Sequence, residues 1–252
     1  MDFGLRGKNV LVTGGTKGLG RAICEVMAGE GANVIVVSRN QQEAVEYAAC
    51  LRAQYAVDAI GIAADLTQRK AIDAIFSLAL SHYQTLDILI NNAAIWPQAY
   101  VVDMEEADFT TTLHMNLVVP FVMCKLFVQH LLANQKKGKI VNLVSQAAFH
   151  GSTTGHAHYA ASKGGLVSFT LSLAREMAAF GIQVNAVAPG IMDTPMVGAA
   201  IKEKRAYYEK RIPLGRVAKP EEIAYSVAFL SSDKADYLTG ITLDATGGML
   251  MR

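Results

Sequence analysis

Short apolar runs rich in valine and isoleucine alternate along this chain with longer segments whose apolar residues recur every three or four positions. The runs lie at Asn9 to Val12, Val34 to Val37, Ala59 to Ala63, Ile88 to Ile90, Ile140 to Val144, Val184 to Ala188 and Ile241 to Leu243. Continuous apolar runs suit strands buried on both sides, and helix-length segments between them suit crossovers, so the pattern predicts a parallel sheet covered on both faces. The predicted class is α/β, doubly wound, with a seven-stranded parallel sheet. Leu19, Ile23, Val26 and Met27 mark one helical stripe, and Leu113, Leu117, Phe121, Cys124, Val128 and Leu131 mark a longer one. Leu166, Phe169, Leu173 and Met177 mark a third, starting just after Tyr159. No linker, low-complexity tract or internal repeat intervenes, so residues 1–252 are expected to form one domain. Only Gly190 to Lys219 breaks the alternation, being long, loop-like at its start and locally charged.

Composition narrows the class. The chain is 52% hydrophobic and 18% charged, enough for a sizeable buried core. A formal net charge of +1 argues against a global field for nucleic acid or a membrane surface. Cys24, Cys50 and Cys124 are odd in number and far apart, so neither a disulfide framework nor a zinc cluster is indicated. No apolar leader precedes the first run and no run approaches eighteen apolar residues, so a soluble, cytoplasmic protein is expected.

The glycine-rich segment Gly14-Gly15-Thr16-Lys17-Gly18-Leu19-Gly20 sits between the first apolar run and the first helical stripe. Strand, tight turn and helix N-terminus in that order form a pyrophosphate site built from backbone N–H groups and the helix dipole. An NAD site places a carboxylate at the end of the second strand to hold the ribose hydroxyls. Here that strand ends in Ser38-Arg39-Asn40, with no carboxylate. Arg39 offers a planar fork for a 2'-phosphate and Lys17 adds a second positive charge, so NADP(H) is expected in preference to NAD.

Tyr159 and Lys163 stand four residues apart, with Ser145 fourteen residues upstream of the tyrosine. On a helix that spacing puts phenol and ammonium on one face, where they form an acid/base pair. Thr13-Gly14-x-x-x-Gly18-x-Gly20, Asp65, Asn91-Asn92-Ala93-Ala94, Asn116, Ser145, Tyr159-x-x-x-Lys163 and Pro189-Gly190 follow one another in a fixed order. With that series the chain resembles the short-chain dehydrogenase/reductase family, in its short core form, and within it the 3-oxoacyl-reductase-like subgroup. The resemblance runs from Lys8 to Gly248 and implies a Rossmann fold binding NAD(P).

By that resemblance the chain is an oxidoreductase moving a hydride between nicotinamide and a ketone or secondary alcohol. Tyr159 would be the acid/base, Ser145 would hold the carbonyl, Lys163 would lower the phenol pKa and bind the ribose, and Asn116 would anchor a water relay. The cofactor would meet Gly14, Thr16, Lys17, Gly18, Leu19 and Gly20 at its pyrophosphate and Ser38, Arg39 and Asn40 at its ribose phosphate. Asp65 and Leu66 would contact adenine, with Asp65 also suited to capping the next helix. Asn92 and Ala93 would line the adenosine side, and Tyr159, Lys163, Pro189, Gly190, Ile191 and Thr194 the nicotinamide side. Residues 190–219 would form a substrate lid, and pairing of the two long helices and the last strand would give a homotetramer. A regulatory protein that keeps the fold without turnover is the competing reading, and it would lack Ser, Tyr or Lys.

The departures from the family pattern locate the unknowns. Ala94 stands where many members have glycine, and Asp244-Ala245-Thr246-Gly247-Gly248 lengthens the C-terminal turn. The segment Gln146 to His158 is one residue longer than usual and carries His150, His156 and His158, expected at the substrate entrance or facing solvent. No third ligand accompanies His156 and His158 at metal-binding spacing, so no metal is expected. The lid carries Lys202, Lys204, Arg205, Lys210, Arg211, Arg216 and Lys219 against Glu203 and Glu209, which suits a solvated helix face or an anionic substrate. Phe180 replaces the arginine that carrier-protein reductases commonly show, while Lys136 and Lys137 keep a basic pair nearby. The expected partner is a small carbonyl or alcohol substrate, with sugars, sugar acids, small ketones, acyl thioesters and steroid-like ketones all open, and with no nucleic acid and no membrane expected.

Overall fold

Every predicted apolar run is a strand in the computed structural model, which describes residues 2–152, 154–194 and 198–251. The strands β1 (Asn9–Thr13), β2 (Asn33–Ser38), β3 (Ala59–Ala63), β4 (Ile88–Asn91), β5 (Gly138–Leu143), β6 (Ile182–Pro189) and β7 (Thr242–Ala245) form one parallel sheet ordered β3-β2-β1-β4-β5-β6-β7. The chain winds outward from β1 to β3 and then crosses to β4. That reversal leaves a crevice at the carboxyl ends of β1 and β4, where doubly wound sheets bind ligands.

Helices α1 (Gly18–Gly29), α2 (Gln41–Tyr55), α3 (Arg69–Tyr83), α4 (Glu106–Leu113), α5 (Val119–Ala133), α6 (Ala147–His150), α7 (Ala157–Met177), α8 (Gly198–Arg211) and α9 (Pro220–Ser231) join the strands. Alternate residues of one strand serve opposite faces. Val10 and Val12 of β1 pack with Ile23 and Met27 of α1 and Val227 of α9. Leu11 joins Ile75 of α3, Met123 and Phe127 of α5 and Leu173 of α7 on the other side.

The long second stripe does not run straight. Residues His114–Val118 form a π turn in which the Val119 N–H bonds the carbonyl of His114. The extra residue rotates the helix, so positions in phase before the turn are out of phase after it. Val119, Met123, Cys124, Phe127, Val128 and Leu131 face the core, while Phe121 is 45% exposed. Within Glu106–Ala133 an 18-residue stretch reaches a mean hydropathy of 1.6, so this helix has the length and composition of a span although no continuous run of eighteen apolar residues occurs in it, and it is packed on the sheet. The third helix starts at Ala157, two residues before Tyr159, and the irregular segment after Gly190 contains α8.

Polar side chains tie the strand ends together beneath the crevice. The Thr13 hydroxyl accepts the backbone N–H of Asn92 at 2.9 Å and of Ala93 at 3.0 Å. The Asn92 amide donates to the carbonyls of Thr13 at 2.9 Å and Gly14 at 3.2 Å. Deeper in, Asn91 donates to Asn142 at 2.8 Å and Asn142 to Thr170 at 2.9 Å, linking β4 and β5 to α7. Replacing Thr13 by isosteric valine strands two backbone N–H groups. We expect Thr13→Val to lower unfolding free energy by about 2 kcal/mol in urea denaturation, and an unchanged midpoint would refute this role.

Candidate active site

At the N-terminal end of the crevice the glycine turn is shaped by backbone that other residues adopt poorly. Gly14 and Gly18 have φ of +67° and +52°. A Cβ on Gly20 would stand 2.0 Å from the Gly14 carbonyl oxygen, so turn and helix approach as closely as a hydrogen side chain allows. Helix α1 has no side-chain cap at Lys17 and no acidic residue in its first turn. Its first N–H groups and positive dipole end are left for an anion.

The end of β2 borders the same crevice through Ser38, Arg39 and Asn40. Thr16 Oγ1 donates to Ser38 Oγ at 3.2 Å, joining turn to strand. Asn40 caps α2 by accepting the Glu43 N–H at 3.1 Å. Glu43 holds Lys17 in an ion pair at 2.9 Å, so Lys17 is not the free cation expected, and a carboxylate does enter this wall from the first turn of α2. Arg39 makes no hydrogen bond or ion pair among the described residues. Asp65 accepts the backbone N–H of Thr67 at 3.0 Å and its hydroxyl at 2.8 Å. Those bonds, and then Arg39, hold its carboxyl below the usual range. Asp65 is not a helix cap, because α3 starts at Arg69 with Gln68 in the cap position.

At the other end, β5 delivers Ser145 and α7 presents Tyr159 and Lys163 on one face. Lys163 is 3% exposed and donates to the Leu143 carbonyl at 2.7 Å, with its Nζ 5.8 Å from the Tyr159 ring centre. Burial pushes its pKa down to about 8. Burial also raises Tyr159, opposed by a hydrogen bond from Ser145. The lowered phenol expected from Lys163 is absent here, because desolvation outweighs the hydrogen bond and the ammonium is directed at Leu143.

Ser145, Tyr159, Lys163 and every residue expected at the cofactor border one cleft of about 1380 Å³, which also takes in Pro189, Gly190, Ile191 and Thr194. Small-ligand pockets are commonly about 300–1,000 Å³, so this cleft has room for a dinucleotide and a second molecule. Asn116 is the exception. It is fully buried behind the wall, where its Oδ1 accepts Ile95 N–H at 2.9 Å and its Nδ2 donates to Ile95 O at 2.9 Å and to Ser162 Oγ at 3.2 Å.

The sequence reading missed the far wall. Trp96, Gln98 and Tyr208 line it, and the one tryptophan of the chain, two residues past the Asn-Asn-Ala-Ala motif, was the available signal. Gln98 donates to Thr154 O at 2.9 Å and Ala99 to Gly155 O at 2.8 Å, latching that segment to the lengthened loop. His150 is exposed at the cleft mouth as expected, but His156 and His158 are buried, with His156 bonded to Pro97 O at 2.7 Å and stacked on Trp96. Both are drawn inward because the latch folds the loop under the Trp96 segment. No cluster of three metal-ligating side chains occurs among the described residues. In the lid, residues 195–197 lie outside the described residues. Arg205 bonds Glu209 at 3.0 Å and Arg216 bonds Glu222 at 2.6 Å, so part of the basic excess is neutralised.

A parallel sheet of this order, a glycine turn on its first helix and a Ser, Tyr and Lys set at the crevice define a dinucleotide-dependent oxidoreductase. The family profile described as Enoyl-(Acyl carrier protein) reductase matches residues 14–250. The chain is 37% identical to the 3-oxoacyl-acyl-carrier-protein reductase of Aquifex aeolicus over 99% of this chain and 100% of that one. It is 37% identical to the reductase of the same name from Escherichia coli over 100% of both chains. The crystal structure of a short-chain type dehydrogenase/reductase from Mycobacterium marinum superposes with a TM-score of 0.94 at 28% identity, covering 100% of this chain and 98% of that one. The chain belongs to the short-chain dehydrogenase/reductase family and is an enzyme acting on C=O and CH–OH groups.

Lys163 titrates near pH 8 when folded and near the free-lysine value of about 10.4 when unfolded. Below pH 8 both states carry the charge and the burial penalty is felt in full. Between the two values the unfolded chain holds a proton that the folded chain has shed, so this residue adds stability as pH rises. We expect the unfolding free energy of the native chain relative to Lys163→Met to increase by about 3 kcal/mol from pH 7 to 11. A flat difference in paired denaturation curves would show that the ammonium is solvated.

Proposed function

We propose that this enzyme is an NADP(H)-dependent carbonyl reductase that, run backwards, oxidises a secondary alcohol. The observation that carries the reading is a single cleft with an uncapped helix N-terminus and, at the same end, Arg39 with no hydrogen bond or ion pair among the described residues, and with Ser145, Tyr159 and Lys163 at the other. The donor set suits the cofactor: N–H groups of α1 for the pyrophosphate, Arg39 for a 2'-phosphate, Asp65 and Leu66 for adenine, and Lys163 for the ribose hydroxyls. Glu43 already holds Lys17, so Arg39 carries most of the phosphate preference.

When bound, the reduced nicotinamide supplies a hydride to the carbonyl carbon. Tyr159 gives its phenolic proton to the carbonyl oxygen as the C=O π pair becomes an O–H bond, leaving the secondary alcohol and oxidised cofactor. Ser145 donates a hydrogen bond to the same oxygen and holds it within reach. Lys163, held on the Leu143 carbonyl with its Nζ 5.8 Å from the Tyr159 ring centre, would have to turn from that carbonyl to stabilise the resulting phenolate and pass in a replacement proton. Asn116 serves as a positioning residue, clamping Ile95 in the wall and Ser162 beside Lys163. The named relatives act on 3-oxoacyl groups attached to a carrier protein; what transfers here is the ketone. The intact set of Ser145, Tyr159 and Lys163 speaks against a regulatory protein without turnover.

Two substitutions test the scheme by following NADPH oxidation with a panel of ketones and acyl thioesters. Tyr159→Phe is expected to lower kcat by about 100-fold or more with NADPH affinity within about threefold; activity within tenfold of the native enzyme rejects Tyr159 as the acid. Arg39→Asp is expected to move the NADP-to-NAD ratio of kcat/KM at least about 100-fold toward NAD, as loss of a charge-assisted phosphate contact predicts. A native enzyme that prefers NAD would overturn the cofactor assignment.

A further inference from the structure

The wall proposed for the adenosine phosphate carries two cations and two carboxylates. Lys17, Arg39, Glu43 and Asp65 all border the cleft there, so these four side chains are formally neutral together although they surround the place of an anion. Each cation has an acid for company. Lys17 Nζ stands 2.9 Å from Glu43 Oε1, and Arg39 acts at longer range on Asp65, whose Oδ1 already accepts the N–H and hydroxyl of Thr67. Of the two pairings, that of Lys17 with Glu43 is the direct contact.

Glu43 is steered to this wall by the start of α2. Asn40 and Glu43 have the spacing of a capping box, in which the acid reaches back to the N–H of the cap residue. Here the Asn40 N–H goes to Ser38 Oγ at 3.4 Å instead, while Asn40 Oδ1 accepts the Glu43 N–H at 3.1 Å. The Glu43 carboxylate is thereby spared and crosses to the glycine turn. Ser38 Oγ also accepts the Thr16 hydroxyl at 3.2 Å, so the turn that carries Lys17 and the helix start that carries Glu43 meet on one oxygen.

The side chains of Lys17 and Glu43 are 67% and 37% exposed. An ion pair so open to water is weak and yields to a stronger partner. A phosphate monoester carries about −1.5 to −2 charge near neutral pH, against one on a carboxylate, and its oxygens accept several charge-assisted bonds. A 2'-phosphate takes Lys17 at the expense of Glu43, which is left as an uncompensated carboxylate in the same wall. NADH has a hydroxyl in place of that phosphate and leaves the pair intact.

We infer that Glu43 is a specificity-determining residue for the dinucleotide, holding down the preference for NADPH over NADH by competing with the 2'-phosphate for Lys17. The inference rests on the NADP(H) reading above and adds an opposing group to it. Arg39 draws the phosphate in, and Glu43 sets how much Lys17 adds.

The test is titration calorimetry of NADPH and NADH at one ionic strength on the native chain, Glu43→Gln, Lys17→Met and the double variant. Glu43→Gln is expected to lower the NADPH dissociation constant about fivefold or more and to move that of NADH less than about twofold, the size of one exposed charge-assisted contact. In the Lys17→Met background the same substitution is expected to gain less than about twofold on NADPH, because the cation it frees is gone. A NADPH-to-NADH ratio unchanged by Glu43→Gln overturns the inference. So does an equal gain with and without Lys17, which would make Glu43 one more diffuse surface charge. Native binding of NADH in preference to NADPH overturns the NADP(H) reading, while the cycle still decides whether Glu43 acts through Lys17. Binding of neither dinucleotide overturns both.

Discussion

Between β1 and β4 the neighbouring strands are no longer consecutive in the chain, and the Thr13 hydroxyl spans that break by accepting two backbone N–H groups from the far side. The Asn92 amide returns the connection by donating to Thr13 and Gly14. This clasp sets the distance between the glycine turn and the segment that carries Ile95 and Trp96. The turn sits on one lip of the crevice and the Trp96 wall on the other, so the proposed cofactor and substrate sites share one rigid reference. Asn91, Asn142 and Thr170 extend the same register to α7, which carries Tyr159 and Lys163.

The two ends of the cleft use opposite electrostatic means. At the glycine turn the helix dipole and Arg39 supply positive potential near solvent, where little desolvation is paid. At the reacting end both titratable groups are buried, and desolvation lifts the phenol while depressing the ammonium. Each is thereby held toward its neutral form in the protein alone. A neutral phenol is a proton donor, the form that carbonyl reduction needs, and an amine depressed to about 8 exchanges protons near neutral pH.

The layout of the sheet was legible because a strand buried on both faces must be apolar throughout, and each such run ends at turn chemistry. The Tyr159–Lys163 pair was legible because helical spacing brings the two side chains together without help from distant residues. The failures share a different character. Phe121 was assigned to the core stripe, and a π turn five residues long rotated it outward. Lys17 read as a free cation, and Glu43, far along the chain and one helix over, holds it. Asp65 suited a helix cap, and the helix begins at Arg69, past its reach.

His150, His156 and His158 show the division most clearly. Local composition marks the loop as unusual, since three histidines within nine positions alter what a cleft can bind. Nothing local distinguishes the three, yet one lies at the mouth, one is pinned to Pro97 under Trp96 and one is sealed inside. Periodicity and short-range spacing settle secondary structure, strand count and the Tyr159–Lys163 pair, because those depend on neighbours within a turn or two. Which side chains face the cleft follows from contacts between residues some sixty positions apart, as from Pro97 to His156, and these exist only once the chain has closed on itself.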